Sequence, residues 1–255
     1  MSAKPNEPSP ELIAEYCDAP FAYEDEILAL GERAVDPLIE RLPSKYGYSA
    51  ADMLGQLGLE LPRVLKALRN GTQAGGGLAE ASCRALGQLG EIEFLFGLVG
   101  DTATRAAAVT AILRGLKSEE VPSLDYRHAE RLLDLDDSAV TEAVNETLAP
   151  GSQMCELVEA DLPELMRGLE SQYPVIRWHA VRALNNRLFK KSVKQVMPAL
   201  AGMLDDNDAT VRRMVLLSLA GWKSKAKPYH DVMRTLQNDP DPKVCDTAFY
   251  VFQDM

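Results

Sequence analysis

The five residues Leu-Gly-Gln-Leu-Gly occur at 54–58 and again at 86–90, 32 residues apart. A period in that range marks chains built from stacked supersecondary units, each burying one face on its neighbours. A chain of 255 residues is also long for one compact core, so an elongated array and a two-domain protein are the frames it fits.

The repeated unit reads as a pair of helices. Ser9 is placed to cap a leading helix, with Pro10 at its first position and Glu11 in its first turn. Prolines then recur beside apolar residues, in Val35-Asp-Pro-Leu, Leu61-Pro-Arg-Val, Val121-Pro-Ser-Leu, Leu162-Pro-Glu-Leu and Val196-Met-Pro-Ala-Leu. Each reads as a short helix opening with proline, where the missing N–H costs nothing. A turn and a second helix with apolar residues at helical spacing follow, as at Tyr173–Leu184, Asp206–Leu219 and Asp239–Phe249. Sustained period-two alternation is lacking, so no sheet is expected.

Spacings of 35 residues (Pro163 to Pro198, Arg177 to Arg212), 33 (Val211 to Val244) and 36 (Val140 to Ile176) extend the period along the chain. They give seven pairs after the leading helix. The second helices are expected at 48–57, 78–89, 104–114, 140–148, 176–188, 211–221 and 244–253. Residues 71–77, Gly-Thr-Gln-Ala-Gly-Gly-Gly, read as a loose loop inside the second pair. The Ala149-Pro-Gly-Ser break places a hinge at 149–153 in a single array, between 9–148 (pairs one to four) and 154–255 (pairs five to seven).

Asp206-x-Asp-x-x-Val-Arg212, followed by small and apolar residues, resembles the HEAT repeat. The ending Ala85-Leu-Gly-Gln-Leu-Gly90 resembles the HEAT-like variety found in phycobilin lyases. The resemblance covers nearly the whole chain and is strongest in pairs two, five, six and seven. It implies an all-α fold, a right-handed α–α superhelix (a HEAT-like solenoid) whose second helices line the concave side. It also implies that Asp206, Asp208, Arg177 and Arg212 form a structural ladder between neighbouring turns. The pattern departs at Thr141 and Cys245, which stand where arginine is expected, and pair one has neither aspartate.

The repeat predicts which side chains face the groove. In pair six Val211, Val215 and Leu219 point to the core. Arg213 and Leu217 lie about 200° and 240° round the helix from Val211 and stack four residues apart. The same register gives a stripe of Tyr48 and Asp52, Glu80 and Arg84, Ala106 and Thr110, Glu142 and Glu146, Trp178 and Arg182, Arg213 and Leu217, then Asp246 and Tyr250. Trp178 between Arg182 and Arg213 is an anchor candidate, since Trp and Arg dominate interface hot spots. Trp222 ends a helix and reads as packing.

Charge is unevenly placed. Residues 177–227 carry eleven basic residues against three aspartates, a local net charge of +8 that leaves −19 for the rest of a chain of net charge −11. Arg187, Lys190, Lys191 and Lys194 form a basic patch in the connection before pair six. The four cysteines and three histidines are scattered, without spacings that hold a metal or build a disulfide framework. Neither a bilayer-spanning apolar run of about 20 residues nor a secretory leader is present. No nucleotide-binding loop or nucleophile motif appears. A cytoplasmic, non-catalytic monomer without cofactor or metal is expected.

Three functions compete. A protein-binding scaffold uses the groove, and the acidic part of the chain suits a basic partner, as in a bacterial inhibitor or immunity-type protein. Nucleic-acid binding through 177–227 is the second, resembling the HEAT-like alkylpurine DNA glycosylases, although no acidic residue stands beside Trp178. A bilin lyase-like chaperone is the third, implied by the repeat variety alone.

Overall fold

The computed structural model describes residues 8–114, 125–148 and 157–253. Among them the regular structure is helical, with no strand. The chain divides into two compact units, Met1–Gly115 and Leu116–Met255. The expected hinge at 149–153, the helix start at 121–124 and Cys155 lie outside the described residues.

Unit one opens with two helices, α1 (Pro10–Asp18) and α2 (Glu24–Leu30), where the sequence suggested a single leader. The Ser9 hydroxyl accepts the Leu12 N–H at 3.3 Å, the expected cap. Three pairs follow: α3 (Val35–Arg41) with α4 (Gly47–Gln56), α5 (Pro62–Gly71) with α6 (Gly76–Gln88), and α7 (Ile92–Leu98) with α8 (Arg105–Arg114). The loop expected at 71–77 is tighter, because Gly71 still closes α5 and Gly76 already opens α6.

The second helices of unit one pack side by side, α4 on α6 and α6 on α8. The Leu-Gly-Gln-Leu-Gly motif makes this possible. A Cβ on Gly55 would sit 2.8 Å from the Ala85 Cα and 2.9 Å from its Cβ, and one on Gly87 would sit 3.2 Å from the Ala111 carbonyl oxygen. The first glycine of each copy is thus where two helices touch. The last glycine does another job. Gly58 and Gly90 take φ of 65° and 75°, the left-handed turn that ends the helix. Leu54 and Leu86 fill the core between them.

Unit two holds four pairs: α9 (Arg127–Leu133) with α10 (Ser138–Leu148), α11 (Leu162–Gly168) with α12 (Pro174–Leu184), α13 (Val193–Gly202) with α14 (Ala209–Gly221), and α15 (His230–Thr235) with α16 (Pro242–Gln253). Its second helices form a row in which α12 contacts α10 and α14, and α14 contacts α16. Ile176, Val211, Val215, Leu219 and Val244 are buried, as the register requires. Among the described residues the two units hold seven pairs.

Two boundaries in unit two differ from expectation. α12 ends at Leu184 rather than 188, because Asn186 leaves the helical backbone at ψ 136° and its side chain accepts the Leu188 N–H at 3.0 Å. That capping starts a 3-10 segment over Arg187–Ser192. α13 begins at Val193, so Pro198 lies inside it rather than opening it. The missing N–H removes only the bond that would close on the Lys194 carbonyl. Lys194 is therefore part of α13, not of the connection before it.

Arginine–aspartate pairs join neighbouring repeats of unit two. Arg177 grips the Asp206 carboxylate with two N–H groups, at 2.7 and 2.9 Å, and donates to the carbonyls of Ser171 and Gln172. Arg212 repeats this on Asp239, at 2.8 and 2.7 Å, and on the carbonyls of Asp206 and Asn207. Both carboxylates are buried, 5% and 3% exposed. Asp208 does not join this ladder. It accepts the Thr210 and Val211 N–H groups and caps α14, while Asp241 caps α16 and Asp137 caps α10 in the same way.

The ladder is missing cleanly where the sequence departs from its pattern. Thr141 brings no guanidinium, and the residue equivalent to Asp206 in the next repeat is Ser171. Both halves are absent together, so no buried charge is stranded. Ser171 donates instead to Glu130 at 2.6 Å. At the seventh pair the Cys245 thiol donates to the Gln237 carbonyl at 2.9 Å, not to the carbonyls five and six residues back that the arginines use.

Removing one half of a buried pair costs far more than removing both. Arg212→Ala is expected to destabilise the protein by about 3–5 kcal/mol in chemical denaturation, and adding Asp239→Ser to recover most of that loss. Hydrogen bonding from Arg212 also holds the Asp239 carboxyl below its ordinary pKa. That contribution is fully present above the ordinary carboxylate value and is lost as pH falls through the depressed one, so the double variant is expected to lose less stability in acid than the parent.

Candidate interaction surfaces

Every stripe position lies at the surface of its unit, and none is buried. In unit one Tyr48, Glu80, Ala106 and Thr110 are exposed, while Asp52 and Arg84 are half-buried. Arg84 closes on the Asp52 carboxylate with two hydrogen bonds, at 2.8 and 3.0 Å, across 32 residues of sequence. These two predicted contact residues are engaged with one another and tie α4 to α6. The Glu80 carboxylate has no hydrogen bond or ion pair among the described residues.

An aromatic contact missing from the stripe lies beside Tyr48. Phe21, in the short turn Pro20–Ala22, is 61% exposed, and its ring lies 5.9 Å from that of Tyr48, itself 40% exposed. Phe21 belongs to the leading segment, so the register of the second helices did not reach it. A bare aromatic after proline was its sole signal.

In unit two the stripe carries Glu142, Glu146, Arg213, Leu217, Asp246 and Tyr250 in exposed positions, with Trp178 and Arg182 half-buried. The Arg182 guanidinium lies 5.8 Å from the Trp178 ring centre, within cation–π range. Arg213 donates to the Thr247 hydroxyl at 3.1 Å, which ties α14 to α16. Glu142, Glu146 and Asp246 make no side-chain hydrogen bond or ion pair among the described residues. Tyr250 is 61% exposed and its neighbour Phe249 50%. Of the basic patch, Lys191 reaches Glu159 at 3.4 Å in an exposed pair, and Lys194 is exposed on α13. The Arg187 side chain lies outside the described residues.

Beneath this surface unit two buries a polar pair. The Tyr126 hydroxyl lies 2.5 Å from Nδ1 of His179, and both side chains are nearly inaccessible. Burial lowers the His179 pKa to about 4, with Arg182 adding to the effect, and holds the Tyr126 phenol well above its usual value. Both groups are therefore neutral, and they share one hydrogen bond whose direction is set by the imidazole tautomer. Gly168 allows the approach, since a Cβ there would sit 2.5 Å from the Tyr126 ring. The backbone N–H of Tyr126 donates to Glu164, which with Glu130 holds Arg167. The two rings are 53 residues apart in sequence, and no local pattern links them.

The end of α14 departs from the motif that ends α4 and α6. Aligned on the helix ends, Gln-Leu-Gly at 56–58 and 88–90 becomes Gly221-Trp222-Lys223. Lys223 takes φ 50°, the left-handed conformation of Gly58 and Gly90, which costs a residue with a Cβ about 1–2 kcal/mol. The Trp222 indole N–H is buried and finds no acceptor among the described residues.

Among the described residues no helix is long and apolar enough to cross a membrane, and no three His, Cys, Asp or Glu side chains gather as a metal site. No protein-family model matches the chain, and no curated protein does. Several solved structures are similar to it. Human deoxyhypusine hydroxylase in complex with glycerol is 18% identical over 95% of this chain and 94% of that one, with a TM-score of 0.38. The archaeal HEAT-like repeats protein from Thermococcus onnurineus is 15% identical over 98% and 97%, with a TM-score of 0.35. A designed armadillo repeat protein in complex with a Lys-Arg repeat peptide is 15% identical over 94% and 97%, with a TM-score of 0.32. The HEAT-like reading of the fold rests on the paired helices and the arginine–aspartate ladder of the chain itself.

His179 makes the protein acid-sensitive above the carboxylate range. Its folded pKa lies below the ordinary 6.5, so the unfolded chain binds the extra proton first. Stability is expected to fall as pH drops from about 6.5 towards 4, by at most ~3 kcal/mol from this group. Denaturation midpoints measured across that window test it, and His179→Phe is expected to flatten the slope.

Proposed function

We propose that the chain is a protein-binding scaffold that docks a basic partner on the exposed faces of its second helices. The observation that supports this reading is the set of exposed, unengaged carboxylates at stripe positions: Glu80 in unit one, and Glu142, Glu146 and Asp246 in unit two. Carboxylates already satisfied within the fold, such as Asp52, have little left to offer a ligand, whereas these four do. Exposed aromatic side chains stand on the same elements or beside them, Phe21 with Tyr48 and Phe249 with Tyr250. Aromatic anchors rimmed by charge are the composition of binding hot spots. Residues 1–115 hold ten basic and sixteen acidic side chains, a net charge of −6 that favours rapid encounter with a basic surface.

The finer form of the proposal is an inhibitor or immunity-type protein that covers a basic partner. Blocking calls for an extended surface and fast association rather than a reactive centre, and an acidic repeat array supplies both.

Affinity capture with the full chain, followed by titration of the recovered partner, tests the proposal. A partner of basic isoelectric point is expected. Phe21→Ala with Tyr48→Ala is expected to weaken it at least ten-fold, and so is Glu142→Lys with Glu146→Lys, each with helix content unchanged by circular dichroism. A partner held as tightly by both double variants, or a partner that is acidic, would remove the reading.

A further inference from the structure

Beyond the docking faces, we propose that the hollow at the C-terminal end of α14 is a binding site for a small phosphorylated compound carrying at least two negative charges. The hollow measures about 430 Å³ and is lined by Asn185, Val193, Gly221, Trp222, Ser224 and the lysines at 190, 223 and 225. That volume lies in the range of small-ligand pockets. Lys190, Lys223 and Lys225 all line its wall, and no acidic residue does. None of the three makes an ion pair or a side-chain hydrogen bond among the described residues.

The local sequence differs from the motif at three successive positions, and all three line this wall. Where the motif has glutamine, Gly221 stands, and a Cβ there would lie 2.7 Å from the Asn185 side-chain oxygen. A side chain at 221 would therefore displace the amide that borders the hollow. Where the motif has leucine, Trp222 lines the wall with an indole. Where the motif has glycine, Lys223 keeps the left-handed turn at φ 50° and puts a cation there. Strain retained in one residue of a repeat, at a position the other copies fill without strain, points to a role outside the fold.

The helix end sharpens the chemistry. The last carbonyls of α14 present partial negative charge, which one nearby cation offsets. Three lysines exceed that need, and a single carboxylate is too small to meet them all. A phosphate-bearing group offers several oxygens and more than one charge, and lysine binds it as a point charge without a fixed fork geometry. Val193 and the indole supply an apolar side for the rest of the molecule.

The test uses the full chain with Trp178→Phe, so that Trp222 is its single tryptophan, titrated with pyrophosphate and with ATP at low salt without divalent cations. Saturable one-to-one binding that weakens with salt is expected for both. Tighter binding of ATP would add stacking on the indole to phosphate recognition. Lys223→Gly separates the proposal from a structural role, because it relieves the backbone while removing one cation. It is expected to melt at the same or a higher temperature and to bind at least five-fold more weakly, and Lys190→Gln and Lys225→Gln to weaken binding similarly. Absence of saturable binding for both compounds would overturn the proposal. So would a Lys223→Gly variant that binds undiminished, or a single-stranded oligonucleotide that outcompetes both compounds equally in parent and variant.

Discussion

The whole arrangement depends on how closely neighbouring second helices can approach. Helices whose facing residues are glycine and alanine come within backbone contact, and Gly55 against Ala85 and Gly87 against Ala111 are such contacts. Close approach sets the rise from one repeat to the next in unit one. That rise in turn decides which side chains meet across the gap. Arg84 reaches Asp52 with both arms of its guanidinium because the helices beneath them are so near. A larger residue at position 55 would force the helices apart and loosen the ion pair above.

Unit two fixes the same relation mostly by charge. Arg177 and Arg212 each bridge a turn of their own repeat to an aspartate of the next, and the carboxylates are almost fully covered. Buried pairs of this kind contribute little net stability, since desolvation offsets much of the attraction. Their effect is on precision. A guanidinium held by two carboxylate oxygens and two carbonyls has one position, so neighbouring turns cannot slide. The joint between α9–α10 and α11–α12, which lacks the ladder, carries instead a buried neutral pair, Tyr126 with His179.

Much of this was legible in the sequence, and what was not has identifiable causes. The helical pairs, their number and the outward positions of the second helices followed from periodicity, because that pattern records burial, and the Ser9 cap followed from its place before Pro10. The ladder was implied by the family resemblance, which placed Arg177, Arg212 and Asp206 in it but also Asp208, whose carboxylate caps α14 instead. Periodicity carries no information on why a small residue is small. Gly55 and Gly58 looked alike in the motif, yet one is a contact and the other a left-handed turn. The Asp52–Arg84 pair spans 32 residues, the same period as the motif, so the ruler that found the repeat also measures this contact. The end of α12 was misplaced because Asn186 captures the Leu188 N–H, a local competition that apolar spacing does not register. Phe21 and the Tyr126–His179 pair fall outside any one helix, and their neighbours are set by tertiary packing alone.

The paired absence of Thr141 and Ser171 from the ladder has an architectural meaning. The joints of unit two match a plug on one repeat to a socket on the next, arginine to aspartate at two of them and threonine to serine at the third. A repeat ending in arginine placed before Ser171 would bury a cation against a hydroxyl, and Thr141 placed before Asp239 would leave a carboxylate bare. The modules look alike yet cannot be shuffled, duplicated or deleted at will. Their order is written in the polarity of their joints, and any engineered shortening or extension of this chain must cut where plug and socket still match.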